Sequence, residues 1–176
     1  MQAACGTAGT MHPFFVRMTE PRIPAADEPM RSFARSLPMA LLKAREAVMA
    51  RFRPLLRSHD LTEQQWRVLR AMSSSGTRLR PMDLSQMTFI SMPSLSRLLK
   101  TLEGRALISR SRAVLDQRGT EFGLTEEAHA ILSRIGPSSE EIYAEIEQLV
   151  GSEQVQQLYL LLAQAEQRLG SADPLE

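Results

Sequence analysis

The sequence predicts a mainly α-helical protein with one small β-hairpin, and three observations carry that prediction. Between Arg80 and Leu124, the residues Leu95, Leu98, Leu99 and Leu102 fall at i, i+3, i+4 and i+7, one apolar stripe of a helix, while Ser94, Arg97, Lys100 and Thr101 point away from it. A brief helix and a tight turn precede this stripe, and a basic segment that reads as two strands around a tip follows it. On either side lie long helical patterns whose apolar faces a single chain has little left to cover. These features together predict a winged helix-turn-helix whose N- and C-terminal helices form a dimerisation domain. The organisation expected is an N-terminal arm over 1–28, a first dimerisation helix within 29–60, the winged module over 61–124 and C-terminal dimerisation helices over 125–176.

The arm is rich in Gly, Ala, Thr and Pro and shows no periodicity, so no regular structure is expected there. Its adjacent Phe14 and Phe15 leave two readings open, a floppy tail or a strap that lays both rings on a partner subunit. From Ser36 the pattern turns helical: Leu37, Leu41, Ala44, Val48, Phe52 and Leu55 recur at about 3.6 residues, and Pro54 should kink or loosen the end. His59 and Asp60 then form a turn. Thr62 begins the next helix as an N-cap with Gln65 at N3, a capping box in which Leu61 staples onto Trp66. Trp66, Leu69 and Met72 should make its buried stripe, and Ser73-Ser74-Ser75-Gly76 should end it, with a short strand possible over Thr77-Arg78-Leu79.

The brief helix, about Met82 to Thr88, is expected to bury Leu84 and Met87, and Phe89 and Ile90 to wedge the two helices apart. The helix that follows accepts Pro93 in its first turn because the missing N–H would have no intrahelical partner there. Its outward face is short-chained, basic and rich in donors, which suits a helix laid in the major groove of double-stranded DNA. Ser94, Ser96, Arg97, Lys100 and Thr101 are therefore the candidate contacts on the helix, with Arg112 and the tip residue Arg118 on the wing. After the wing, Thr125 caps a helix to about Val150, striped by Ile131, Ile135, Ile142, Ile146 and Leu149 and expected to kink at Gly136-Pro137. Ser152 opens a last helix, apolar on one side at Val155, Leu158, Tyr159, Leu162, Ala165 and Leu169 and widened by Leu160 and Leu161.

These motifs carry a resemblance to the MarR family of winged-helix regulators, whose wing holds an Asp-x-Arg and closes on a Leu-Thr that opens the next helix. Here they stand as Asp116-Gln117-Arg118 and Leu124-Thr125. The segments AREAVMARFRPLL (44–56) and LTEQQWRVLRAM (61–72) also resemble the branch of that family that represses homoprotocatechuate (hydroxyphenylacetate) degradation operons. The likeness runs roughly from Leu37 to Leu169. It implies a homodimer in which the first and last helices of two copies wrap around each other, a wing supported by Asp116, and small phenolic or aromatic acids as effectors. Two positions depart from the pattern. Ala106 stands where Gly usually ends the reading helix, at a cost of about 1 kcal/mol if the backbone there is left-handed. Gly119 stands where a second wing Arg is common.

Charge follows the same division. The net charge is only +1, but residues 1–77 carry 11 basic and 6 acidic groups, residues 78–118 carry 8 and 3, and residues 119–176 carry 2 and 11. The positive field thus covers the proposed reading module and is absent from the C-terminal helices. Hydrophobic content of 43% with 23% charged residues is ordinary for a globular chain. No apolar run reaches membrane-spanning length, the first residues lack the layout of a signal peptide, and the single Cys5 gives no disulfide framework, so a cytoplasmic setting is expected.

Catalytic chemistry is not expected. His12, His59 and His129 lie far apart with no metal-ligand spacing, Glu126-Glu127 and Glu140-Glu141 sit where carboxylates favour a helix dipole, and there is neither a Gly-rich phosphate loop nor a Ser-His-Asp order. No metal or cofactor is expected either. A small aromatic carboxylate effector would want a guanidinium and a ring, for which Arg45, Arg67, Trp66 and Phe52 are the candidates. The plain alternative for either arginine is an internal salt bridge to Glu46 or Glu63. Two rival functions remain at this level: a redox-sensing regulator of the same fold using Cys5, and a winged-helix scaffold that binds protein rather than DNA.

Overall fold

The computed structural model describes residues 32–112 and 119–171. Cys5, the arm over 1–28 with Phe14 and Phe15, and the wing-tip residues Asp116 and Arg118 lie outside them. The chain divides into two units, Met1–Lys43 and Ala44–Glu176. A 3-10 turn, Phe33–Arg35, precedes α1 (Leu37–Ser58), followed by α2 (Glu63–Ser75), α3 (Pro81–Thr88), α4 (Met92–Gly104), β1 (Ile108–Arg112), β2 (Thr120–Leu124), α5 (Glu126–Val150) and α6 (Ser152–Gly170). The two strands form an antiparallel hairpin with Ile108 opposite Leu124 and Arg112 opposite Thr120.

Local chemistry fixes the boundaries. Thr62 Oγ1 accepts from the Gln65 backbone N–H at 3.2 Å while Gln65 Oε1 accepts from the Thr62 N–H at 3.0 Å, so two of the unpaired donors of α2 are satisfied reciprocally. Gly76, at φ 65°, ends α2 in the left-handed conformation. α1 and α4 close with the same device on non-glycine residues. After α1, Leu61 N–H reaches Leu56 O at 2.9 Å and Asp60 N–H reaches Arg57 O at 3.1 Å, with Asp60 at φ 53°. After α4, Leu107 N–H reaches Leu102 O at 3.0 Å and Ala106 N–H reaches Glu103 O at 2.9 Å, with Ala106 at φ 56°. Asp tolerates this region; Ala does not.

Gly104, meanwhile, spends its freedom inside the last turn of α4, where an added Cβ would meet nothing within 4 Å. Alanine and glycine therefore stand in each other's best places. Ala106→Gly and Gly104→Ala are each expected to stabilise the protein by about 1 kcal/mol, visible as additive rises in the thermal midpoint. A fall in stability for Ala106→Gly would show that the left-handed backbone is not strained.

The core is built by the stripe of α4, fully buried at Leu95 and Leu102, together with Val68 and Leu69 of α2, Leu84 of α3 and Phe122 of β2. Ala128, Ile131 and Ile135 extend it along the first half of α5, and Phe52 and Leu56 from the end of α1. Several expectations need correction here. Met87 is exposed, and Phe89 is 86% exposed at φ 53°, because the left-handed turn throws its ring outward; Ile90 alone fills the angle between α3 and α4. Trp66 is only half-buried and Val68 takes the buried place on α2. Leu149 is exposed, and Ile142 and Ile146 are half-buried, so the stripe of α5 is covered only in its first half. The strand over 77–79 shrinks to a single bridge, in which Leu79 and Phe122 exchange both backbone hydrogen bonds at 2.9 Å. Pro54 lies inside α1 and Pro137 inside α5. No helix among the described residues is long and apolar enough to cross a membrane.

Candidate nucleic-acid interface and ligand cavity

The outward face of α4 is set by its buried one. With Leu95, Leu98, Leu99 and Leu102 held in the core, Ser96, Arg97, Lys100 and Thr101 are exposed and Ser94 is half-buried at the edge. Ser91, before the helix, donates its hydroxyl to Ser94 Oγ at 3.1 Å, and Thr101 donates to Arg97 O at 3.0 Å. Two grooves flank this face. One, of about 340 Å³, is lined by Thr62 and Gln64 from the start of α2 and by Ser94, Arg97 and Thr101. The other, of about 190 Å³, lies between α4 and the wing, where Ser96 faces Arg110, Thr120 and Phe122.

The basic residues of this region divide by engagement. Arg78 lies across the hairpin, donating to Ser109 O at 2.6 Å and Glu121 O at 3.4 Å, and a Cβ on Gly123 would come within 2.7 Å of its Nη1. A side chain at Gly123 would therefore have to displace the guanidinium that props the wing. Arg80 pairs with Asp83, whose carboxyl it holds below the usual range chiefly through their hydrogen bond. Arg105 donates to Asp60 O at 2.6 Å and ties the end of α4 to the turn before α2. Arg110, which sequence reasoning missed, lies 5.3 Å over the Phe122 ring and 3.7 Å from Glu103. Arg97, Lys100 and Arg112 are exposed, and their side chains have no hydrogen bond or ion pair among the described residues. Alternation along β1 signals Arg110 and Arg112 equally, so only the tertiary contact separates them.

A second site opens on the opposite side of α2. Glu63, Trp66, Arg67 and Arg70 follow one another at i, i+3, i+4 and i+7 and form one wall of an open cavity of about 320 Å³, closed by Arg45 and Met49 of α1 and Tyr143 of α5. Arg70 lies 5.6 Å over the Trp66 ring. Arg67 Nη1 donates to Thr88 O at 3.0 Å. Arg45 is part of a closed ring of charges: it pairs with Glu46 and with Glu63, each at 2.6 Å, while Arg53 pairs with Glu63 at 2.6 Å and with Glu46. Burial pushes the Glu63 carboxyl up, but the two guanidiniums outweigh it and hold the group below its ordinary range.

Of the four residues expected to bind an aromatic acid, three line this cavity and one does not. Phe52 is buried behind it, edge-on to Tyr143 with ring centroids 5.0 Å apart, because its position on α1 faces the core and not the solvent. For Arg45 the internal salt bridge holds. Arg70, Tyr143 and Met49 were missed, although the spacing of Arg70 from Trp66 places both on one face of α2.

A model of the MarR family matches residues 59–119. The chain is 41% identical over 127 residues to the homoprotocatechuate degradative operon repressor of Escherichia coli, a match covering 72% of this chain and 85% of that protein. It is 38% identical over 136 residues to the HTH-type transcriptional regulator FarR of Neisseria gonorrhoeae, covering 77% of this chain and 92% of that one. Among solved structures, NadR in complex with 4-hydroxyphenylacetate matches with a TM-score of 0.71 and 33% identity, over 78% of this chain and 100% of that one.

Proposed function

The chain belongs to the MarR family of winged-helix transcriptional regulators, and from that premise we propose that it is a cytoplasmic homodimer that represses an aromatic-compound catabolic operon and leaves the DNA when a small aromatic acid binds. Residues 29–60 and 125–176 serve the dimer, 61–124 read the operator, and 1–28 form an arm. The observation that carries the DNA half of this reading is the outward face of α4, where exposed Arg97 and Lys100 stand without partners among the described residues over a buried leucine stripe. Two such helices, one from each copy, enter successive major grooves of a pseudo-palindromic site. Arg97 and Ser94 read base edges, with Ser96 and Thr101 beside them; Lys100, Arg112 and Arg118 hold the backbone and minor groove.

The test separates these roles. Arg97→Ala should cost about 1–3 kcal/mol and relax sequence preference, whereas Lys100→Ala should weaken operator and random DNA alike and lower the salt slope by about 1. Equal losses on both DNAs for Arg97→Ala would remove it from base reading.

The effector half rests on the cavity beside Trp66. An aromatic ring lies against the indole, its carboxylate meets Arg70, and Tyr143 closes the far side. The named ligand of NadR, 4-hydroxyphenylacetate, has this chemistry and is the acid to try first.

A further inference from the structure

The bond from Arg67 to Thr88 leads out of the ligand cavity and into the DNA-reading turn, and we infer that Arg67 is the residue through which an acid in that cavity reaches the reading helix. The inference rests on the proposed effector reading and adds the path of transmission to it. Thr88 is the last residue of α3, and its carbonyl is one of those an α-helix leaves without an intrahelical donor. Arg67 Nη1 supplies that donor at 3.0 Å and brings a positive charge to the negative end of the helix. Directly after Thr88 come Phe89 in its left-handed conformation, buried Ile90, Ser91 and the first residue of α4. Two further hydrogen bonds hold this turn from within, Thr88 donating its hydroxyl to Leu84 O at 2.5 Å and Ser85 to Ile90 O at 2.7 Å, while the Ile90 side chain packs into the core. Among the described residues, the Arg67 bond is thus the hydrogen bond that ties the turn to the cavity wall.

The guanidinium is a rigid planar fork, so turning it to pair with a carboxylate changes the direction of all its N–H groups at once. Arg67 and Arg70 stand three residues apart on the same wall. A carboxylate seated at Arg70 draws the neighbouring Arg67 fork toward itself and away from Thr88 O. The carbonyl loses its donor, the turn relaxes, and α4 no longer holds the angle the major groove requires. Arg67 is in this sense a positioning residue; the ligand is anchored by its neighbour.

The experiment measures operator affinity without and with saturating 4-hydroxyphenylacetate, and acid binding by calorimetry, using full-length protein and an operator duplex selected by the protein from random DNA. For the parent, the acid should weaken operator binding by about 5–150-fold. Arg67→Met should bind operator as weakly as the acid-saturated parent and change by no more than about twofold on adding acid, while still taking up the acid. Arg67→Lys keeps a donor for the carbonyl but has no fork to turn, and should restore tight operator binding while release by the acid stays weaker than in the parent, a split that a merely structural loss would not give. An Arg67→Met protein that binds operator and is released like the parent overturns the inference alone. A parent that fails to take up the acid overturns the proposed effector reading and this inference with it.

Discussion

Leu158→Glu or Leu162→Glu is expected to give aggregated or unfolded protein and no stable soluble monomer. No residue of α6 is buried, although Leu158 and Leu162 stand one turn apart, 51% and 44% exposed, beside Tyr159, Leu160 and Leu161. A helix apolar over so much of its circumference is stable only when covered, and propensity alone does not hold a helix of this length in water. The first turns of α1 carry a second uncovered set, Leu37, Leu41 and Leu42, and the end of α5 a third, Leu149 and Val150. The cover proposed is a second copy of the chain, so that folding and dimerisation are one event and a charge placed in the interface removes both. Light scattering and circular dichroism on either variant provide the measurement. A folded, soluble monomer would end the claim of an obligate dimer.

The sequence made the reading module legible because its signals are local and mutually consistent. The leucine stripe of α4, the Thr62 and Gln65 capping box and the glycine end of α2 each involve residues within a few positions of one another, where periodicity and hydrogen-bond stoichiometry leave little choice. The misassignments have the opposite character. In eight-residue α3, a stripe of two residues cannot be phased, so Met87 looked as buried as Leu84; the left-handed turn then reversed the direction expected of Phe89. In the cavity, the spacing that puts Arg70 on the face of Trp66 does not say which of Arg45, Arg67 and Arg70 is left free to meet a ligand. Their roles are set by partners far along the chain, Glu63 being 18 residues from Arg45 and Thr88 being 21 from Arg67. Phe52 lies behind the cavity wall because the stripe of α1 turns fully into the core only at that residue and Leu56.

Those same partners decide which arginine an acid can use, and Arg70→Ala is therefore expected to abolish release from the operator by an aromatic acid while leaving operator affinity nearly intact. Arg45 already holds two carboxylates, and an incoming anion would have to displace Glu63 and break the ring that also contains Arg53. Arg67 is committed to a carbonyl. Arg70 has no ion pair among the described residues and stands over the Trp66 ring, so it meets a carboxylate without first giving one up. A charge-assisted bidentate pair with ring stacking supplies a differential affinity of about 1–3 kcal/mol, enough for the 5–150-fold release on which such regulation depends. That differential is what matters, since a ligand that binds the DNA-competent and released states equally shifts nothing however tightly it binds. The neutral amide of 4-hydroxyphenylacetate keeps the ring and the phenol but loses the charge, and should be a poor inducer of the parent for the same reason that the acid is a poor inducer of Arg70→Ala. Titrating operator-bound protein with acid and amide separates the contributions directly. If Arg70→Ala is released by the acid as readily as the parent, the carboxylate is held elsewhere and Arg70 is not its anchor.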